Sequence, residues 1–170
     1  GEEVGSVVLE ADGDDSAGAL LALHALGVAE PGVREAAVKG VDWLIRLQNR
    51  DGGIPTFCRG WLKLPFDQSC PDLTAHVLAA FSAWRPLLPE RGAVMDRAMA
   101  AAIDYLRRAQ RKDGSWTPLW FGNQAAPNHE NPVFGTARVV EGLCRLDDSF
   151  SVRSMIAAGK DWLKAARNGD

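Results

Sequence analysis

The strongest constraint on this chain is an internal repeat. Three segments, VDWLIRLQNRDGG, IDYLRRAQRKDGSW and KDWLKAARNGD, share an aromatic residue followed by Leu, then basic residues and a glycine-bearing end. Their aromatic residues, Trp43, Tyr105 and Trp162, recur 62 and 57 residues apart. A period of that size is one supersecondary unit that buries its apolar face only by stacking on its neighbours. The repeat therefore dictates a layered architecture before any single element is assigned.

Hydrophobic periodicity places two helices in each unit and gives almost no strand signal. The first helix of each pair is apolar nearly all round, over about 15–26, 71–84 and 132–146. Such helices are expected to be buried on most sides. The second of each pair is amphipathic, over about 32–48, 94–110 and 152–166. In the 32–48 segment, Val38, Val41, Leu44, Ile45 and Leu47 make one stripe, with Arg34, Glu35, Lys39, Asp42 and Arg46 off it. Gly27 and Pro31 punctuate the first connection. The alternation predicts an all-α fold with an inner and an outer layer, a single domain over residues 1–170 built of three helical hairpins. Three hairpins make about half of a closed ring. The expectation is a piece of a longer barrel, or a unit that needs a second chain.

Composition narrows the function classes. With 170 residues, 46% of them hydrophobic and 24% charged, the chain has the make-up of a globular domain. The net charge is −3 and no Lys/Arg run exceeds two residues, which argues against a nucleic-acid partner. No apolar run approaches the ~20 residues of a membrane span. The opening GEEVGSVV does not read as a secretory signal. Cys58, Cys70 and Cys144 are too few and too widely spaced for a disulfide framework, so a reducing, cytoplasmic setting is expected.

If the apolar helices are parallel, their N-termini share one rim. Asp12, Asp14 and Asp15 stand before the first, Asp72, Thr74 and His76 at the second, and Asn128 to Asn131 before the third. The long loops 49–70 and 111–131 rise to the same rim with Phe57, Trp61, Phe66, Trp116, Trp120 and Phe121. An acidic pocket with aromatic walls follows. Helix capping accounts for one or two of the three aspartates, since Asp is a preferred N-cap and suits the helix dipole. A non-catalytic helical toroid with capping aspartates, binding a lipid or a protein, is the alternative reading. Asp72 and His76 are four apart on one helical face, which predicts contact between them. His24, His76, His129 and the cysteines match no tight ligand spacing, so neither a metal nor another cofactor is expected.

Together these motifs resemble the squalene–hopene and related triterpene cyclases, the class II terpene cyclases. The family's Asp-x-Asp-Asp-Thr-Ala reads here Asp12-Gly13-Asp14-Asp15-Ser16-Ala17. Its repeat, aromatic-Leu/Ile-x-x-x-Gln-x-x-x-Gly-x-Trp, is met by Tyr105, Leu106, Gln110, Gly114 and Trp116. Trp43, Leu44, Gln48 and Gly52 meet it too, with Ile54 for the final Trp. Asp72-Leu73-Thr74-Ala75-His76 matches the family's Asp-x-Thr-Ala-His, and Pro132 to Ala137 looks like a later inner-helix start. The resemblance implies an α/α barrel and a linear isoprenoid substrate. It implies Asp14 as the acid that protonates a terminal alkene or epoxide, Asp12 and Asp15 in support, and His76 hydrogen-bonded to the acid. Asp72 and Cys58 are supporting candidates, and Phe57, Trp61, Trp120 and Phe121 candidate cavity walls. Gln48, Gln110, Gly114 and Trp116 would tie outer helices together. An apolar substrate is compatible with peripheral attachment to the inner membrane face. The segment 123–133 is longer than the family pattern and differs from it.

Overall fold

In this computed structural model, residues 12–27, 32–56, 67–126, 128–146 and 151–166 are described. Six helices carry the fold: α1 (Gly13–Leu26), α2 (Val33–Leu47), α3 (Pro71–Trp84), α4 (Gly92–Ala109), α5 (Pro132–Leu143) and α6 (Arg153–Ala165). Their ends follow local chemistry. The Asp12 carboxylate accepts the Asp15 N–H at 2.8 Å and caps α1, while Gly27, at φ 96°, ends it. Pro71 and Pro132 open α3 and α5, where a missing N–H costs nothing. The regular strand structure among the described residues is one short antiparallel pair, β1 (Ile54–Pro55) and β2 (Ser69–Cys70), inside the first long loop.

The two layers are as the periodicity implied. The helix α3 is the central inner helix, packed between α1 and α5 and buried along most of its length. Trp84, fully buried, donates its indole N–H to the Leu20 carbonyl at 2.7 Å and locks α3 to α1. The crossing of α5 over α3 is tight at Gly142, where an added Cβ would come within 2.5 Å of the Ala75 carbonyl. On the outside, Arg91 clamps Asp42 of α2 with two hydrogen bonds of 2.8 Å. No helix among the described residues is long and apolar enough to cross a membrane.

The repeat is a hydrogen-bond device. Gln48 Nε2 donates to Gly52 O and to Ala98 O of α4, both at 2.8 Å. Gln110 Nε2 does the same one unit later, to Gly114 O at 3.0 Å and Met155 O of α6 at 3.1 Å. Each Gln thus fastens its own turn to the next outer helix. Gly52 and Gly114 sit at φ 91° and 94°, against the carbonyls of Ala101 and Ala158, where only glycine fits. The equivalence reaches the inner layer: Ile54 N donates to Thr74 Oγ1 and Trp116 N to Thr136 Oγ1, each at 2.9 Å.

Two expectations are corrected. The helix α1 is not buried on most sides: only Gly13, Ala17 and Leu20 are buried, and Leu26 is 71% exposed. Among the described residues its inner neighbour is α3, and apolar side chains away from that contact, such as Leu26, stay exposed. Trp116 is not a rim aromatic either. It is fully buried and donates its indole N–H to the Leu106 carbonyl at 2.8 Å, making it a wedge behind α4.

Candidate acid site at the inner-helix rim

The acidic cluster and the second inner helix meet because α1 and α3 pack side by side. Asp14, in the first turn of α1, and His76, one turn into α3, form a 2.6 Å contact between Oδ1 and Nδ1. The Asp14 side chain is 46% exposed and that of His76 17%, so the carboxyl faces open space and the imidazole backs it. The hydrogen bond from His76 holds the Asp14 carboxyl below its ordinary 3.8, more strongly than partial burial raises it.

The other acids have different places. Asp12 is the cap of α1 and also borders the cavity described below. Asp15 is exposed and supplies its backbone N–H to that cap. Asp72 is 3% exposed and does not bond His76 as the four-residue spacing implied. Its Oδ1 instead accepts from Cys70 Sγ at 2.8 Å, since the first residue turn of α3 points back toward the strand that precedes it. Burial pushes the Asp72 carboxyl above its ordinary 3.8. Burial and the histidine thus push the two neighbouring carboxyls in opposite directions, Asp72 up and Asp14 down. Burial, with Asp72 alongside, pushes the Cys70 thiol up to about 12. Arg138 of α5 adds a weaker positive field at both aspartates.

Asp12, Asp14 and Asp72 border a cavity of about 120 Å³, together with Thr56, Cys70, Leu73, Trp120 and Phe121. Trp120 and Phe121 are 48% and 46% exposed, and Phe121 packs on Phe134 at 4.9 Å between ring centres. The Leu119 N–H donates to Cys70 Sγ at 3.2 Å, which anchors this aromatic segment beside Asp72. Phe57, Cys58, Trp61 and Phe66 lie outside the described residues. Among the described residues, no three His, Cys, Asp or Glu side chains are grouped to hold a metal ion. Sequence reasoning did not single out Thr56, Cys70 or Arg138. Cys70 stands two residues before Asp72, which is the one signal that could have found it.

A carboxyl bonded to a histidine, beside aromatic faces around a small cavity, is an arrangement that can give up a proton and shelter a cation. The comparisons with known proteins identify the family. Residues 9–170 match the family model of the squalene-hopene cyclase C-terminal domain. The chain is 29% identical to a squalene hopane cyclase of Aspergillus fumigatus over 94% of its own length and 26% of that protein's. It is 29% identical to the squalene–hopene cyclase of Alicyclobacillus acidocaldarius, over 78% of this chain and 21% of that one. Its fold is similar to that of ent-copalyl diphosphate synthase from Streptomyces platensis, with TM-score 0.68 at 22% identity, covering 94% of this chain and 26% of that one. The chain thus spans about a quarter or less of each of these proteins. It belongs to the squalene–hopene cyclase family, through that family's C-terminal domain.

Proposed function

We propose that this chain carries the initiating site of an acid-started isoprenoid cyclisation, with Asp14 as the proton donor. The observation that carries the reading is the 2.6 Å contact of Asp14 with His76 at the edge of a cavity walled by Trp120 and Phe121. With His76 Nδ1–H donating to Oδ1, Asp14 Oδ2 is left to carry the proton. An alkene is a very weak base, so the donor must be a stronger acid than free aspartate, and the histidine makes it one. As the proton leaves, the imidazole stabilises the carboxylate, and the aromatic faces shelter the cation that forms. Burial raises the affinity of the Asp72 carboxyl for a proton beside Asp14.

Among the described residues the cavity is partly open. Exclusion of water from a cation needs further helices, so activity is proposed to require more of the barrel, on the same chain or on a second one. Turnover of a polyene by the 170 residues alone would contradict that. Leu119, Trp120, Phe121 and Val133 form an exposed apolar face near the cavity, which favours peripheral contact with a lipid surface on the cytoplasmic side. Co-sedimentation with vesicles, lost on Trp120→Ala with Phe121→Ala, tests this, and an unchanged fraction bound would oppose it. The functional test is incubation of the complete protein with a linear isoprenoid and analysis for cyclic product. Asp14→Asn is expected to abolish the product, and undiminished cyclisation would leave Asp14 a helix-start carboxyl in a toroid that merely binds.

A further inference from the structure

The imidazole of His76 has two ring nitrogens, and Asp14 engages one of them. Nδ1 meets Asp14 at 2.6 Å, while Nε2 has no hydrogen-bond partner among the described residues. Solvent reaches Nε2, because the sealed side-chain nitrogen or oxygen left unpaired among the described residues is Thr56 Oγ1. The ring lies along α1. From Nδ1 at Asp14 it passes Gly18, where an added Cβ would stand 3.8 Å from His76 Cε1. Asp14, Gly18 and Leu21 follow one another on one face of α1, at spacings of four and three. Nε2, the next ring atom after Cε1, therefore points on toward Leu21 and away from the carboxyl.

A second cavity lies there. It has about 50 Å³ and is lined by His76, Leu21 and Ala79 and, from α5, by Arg138, Glu141 and Arg145. None of these residues borders the cavity of Asp14, so His76 faces one cavity and bonds the acid of the other. A water needs roughly 10–15 Å³ of cavity space and two to four polar partners. Both are met. Glu141 is braced between Arg138 at 3.0 Å and Arg145 at 3.3 Å, and all three border the space that His76 borders. Their side chains are partly exposed, which connects the cavity to bulk water. The acid cavity differs. In the complete protein an isoprenoid seated there keeps water from Asp14.

We propose that water in this second cavity exchanges protons with His76 Nε2, which makes the cavity the solvent port of the acid pair while an isoprenoid occupies the Asp14 side. This rests on the reading of Asp14 as the initiating acid and adds how the partner of that acid stays in contact with water. Asp14 Oδ2 gives up its proton and a carboxylate is left. A water in the second cavity gives a proton to Nε2 and regains one from bulk solvent. The ring is then an imidazolium bonded to the carboxylate through Nδ1–H, so no isolated negative charge stands beside the apolar chain. When the product leaves, Oδ2 takes a proton from water entering the acid cavity and Nε2 returns its own to the second cavity, which restores the pair. The charged groups around the ring are Asp14 from α1, Asp72 one turn earlier on α3, and Arg138, Glu141 and Arg145 from α5. The carboxylate that appears on Asp14 tips their balance toward a charged ring.

The test is NMR of the chain with isotope-labelled histidine, reading the rate at which the His76 ring exchanges protons with water. Leu21→Phe and Ala79→Leu each fill the second cavity, and Leu73→Phe fills the acid cavity instead. Leu21 is only partly buried, so Leu21→Phe carries the test where Ala79→Leu does not fold. Filling the second cavity is expected to slow the exchange at least about tenfold, and filling the acid cavity to leave it within about twofold of wild type. An unchanged rate in the variants that fill the second cavity, or an equal slowing by Leu73→Phe, would overturn the proposal. Failure of Asp14 as the acid shows separately, as cyclisation that survives Asp14→Asn in the complete protein whatever the exchange rates are.

Discussion

Asp14 and His76, 62 residues apart in sequence, touch at 2.6 Å because two inner helices of successive repeats lie side by side. The contact lowers the pKa of Asp14, while Asp72, a residue of the same rim, is raised by burial. The two aspartates therefore make opposite contributions to stability as pH changes. Asp14, depressed in the fold, contributes stability that is present above its unfolded value of about 3.9 and fades as pH falls through its folded value. Asp72, raised in the fold, binds more protons folded than unfolded, so stability is lost as pH rises above about 3.9 toward its folded value. Urea midpoints measured from about pH 3 to about pH 7 should show the advantage of wild type over Asp14→Asn shrinking toward acid. The same series should show Asp72→Asn gaining on wild type toward neutral pH. Parallel curves for either variant would contradict the assignment.

The outer layer depends on two glutamines. Removal of the Gln48 amide leaves the Gly52 and Ala98 carbonyls without that donor. Gln48→Ala is expected to cost about 1–3 kcal/mol in urea unfolding, and Gln110→Ala a similar amount. Gln48→Glu should cost no less, since a carboxylate cannot donate to either carbonyl. A loss well below that range would mean that packing, not the hydrogen bonds, fastens α2 to α4.

The tryptophans divide into two kinds. Trp116 is fully buried and bonded to Leu106, whereas Trp120 is half exposed at the cavity. Trp116→Ala should destabilise the chain by about 3–5 kcal/mol, and Trp120→Ala by less than about 1. Trp120→Ala should instead weaken isoprenoid binding. Equal stability losses for the two would contradict this division.

Much of this architecture was legible because a repeat states the same structural solution more than once. Trp43 and Tyr105 mark the same place in two outer helices, and Gln48 and Gln110 make the same bonds in the structure. Pro71 and Pro132 fixed two inner-helix starts to the residue. Where the reading missed, the cause was tertiary. Trp116 sits just past a glycine turn, and nothing local says that Thr136 of the next helix draws its backbone inward. Asp72 and His76 have the spacing of a helical pair, yet a thiol two residues upstream competes for the carboxylate and Asp14 arrives from another helix for the imidazole. The helix α1 is apolar all round, which speaks of what it can bury, not of how many neighbours this chain provides.

The central claim is that Asp14 and His76 act as one unit in proton transfer. A double-mutant cycle on cyclisation by the complete protein tests it most directly, with kcat/KM for wild type, Asp14→Asn, His76→Ala and the pair. Each single variant is expected to lose about 10²–10⁴-fold, and the double variant little more than the worse of the two. Losses that multiply independently, or an Asp14→Asn variant that cyclises like wild type, would contradict the account.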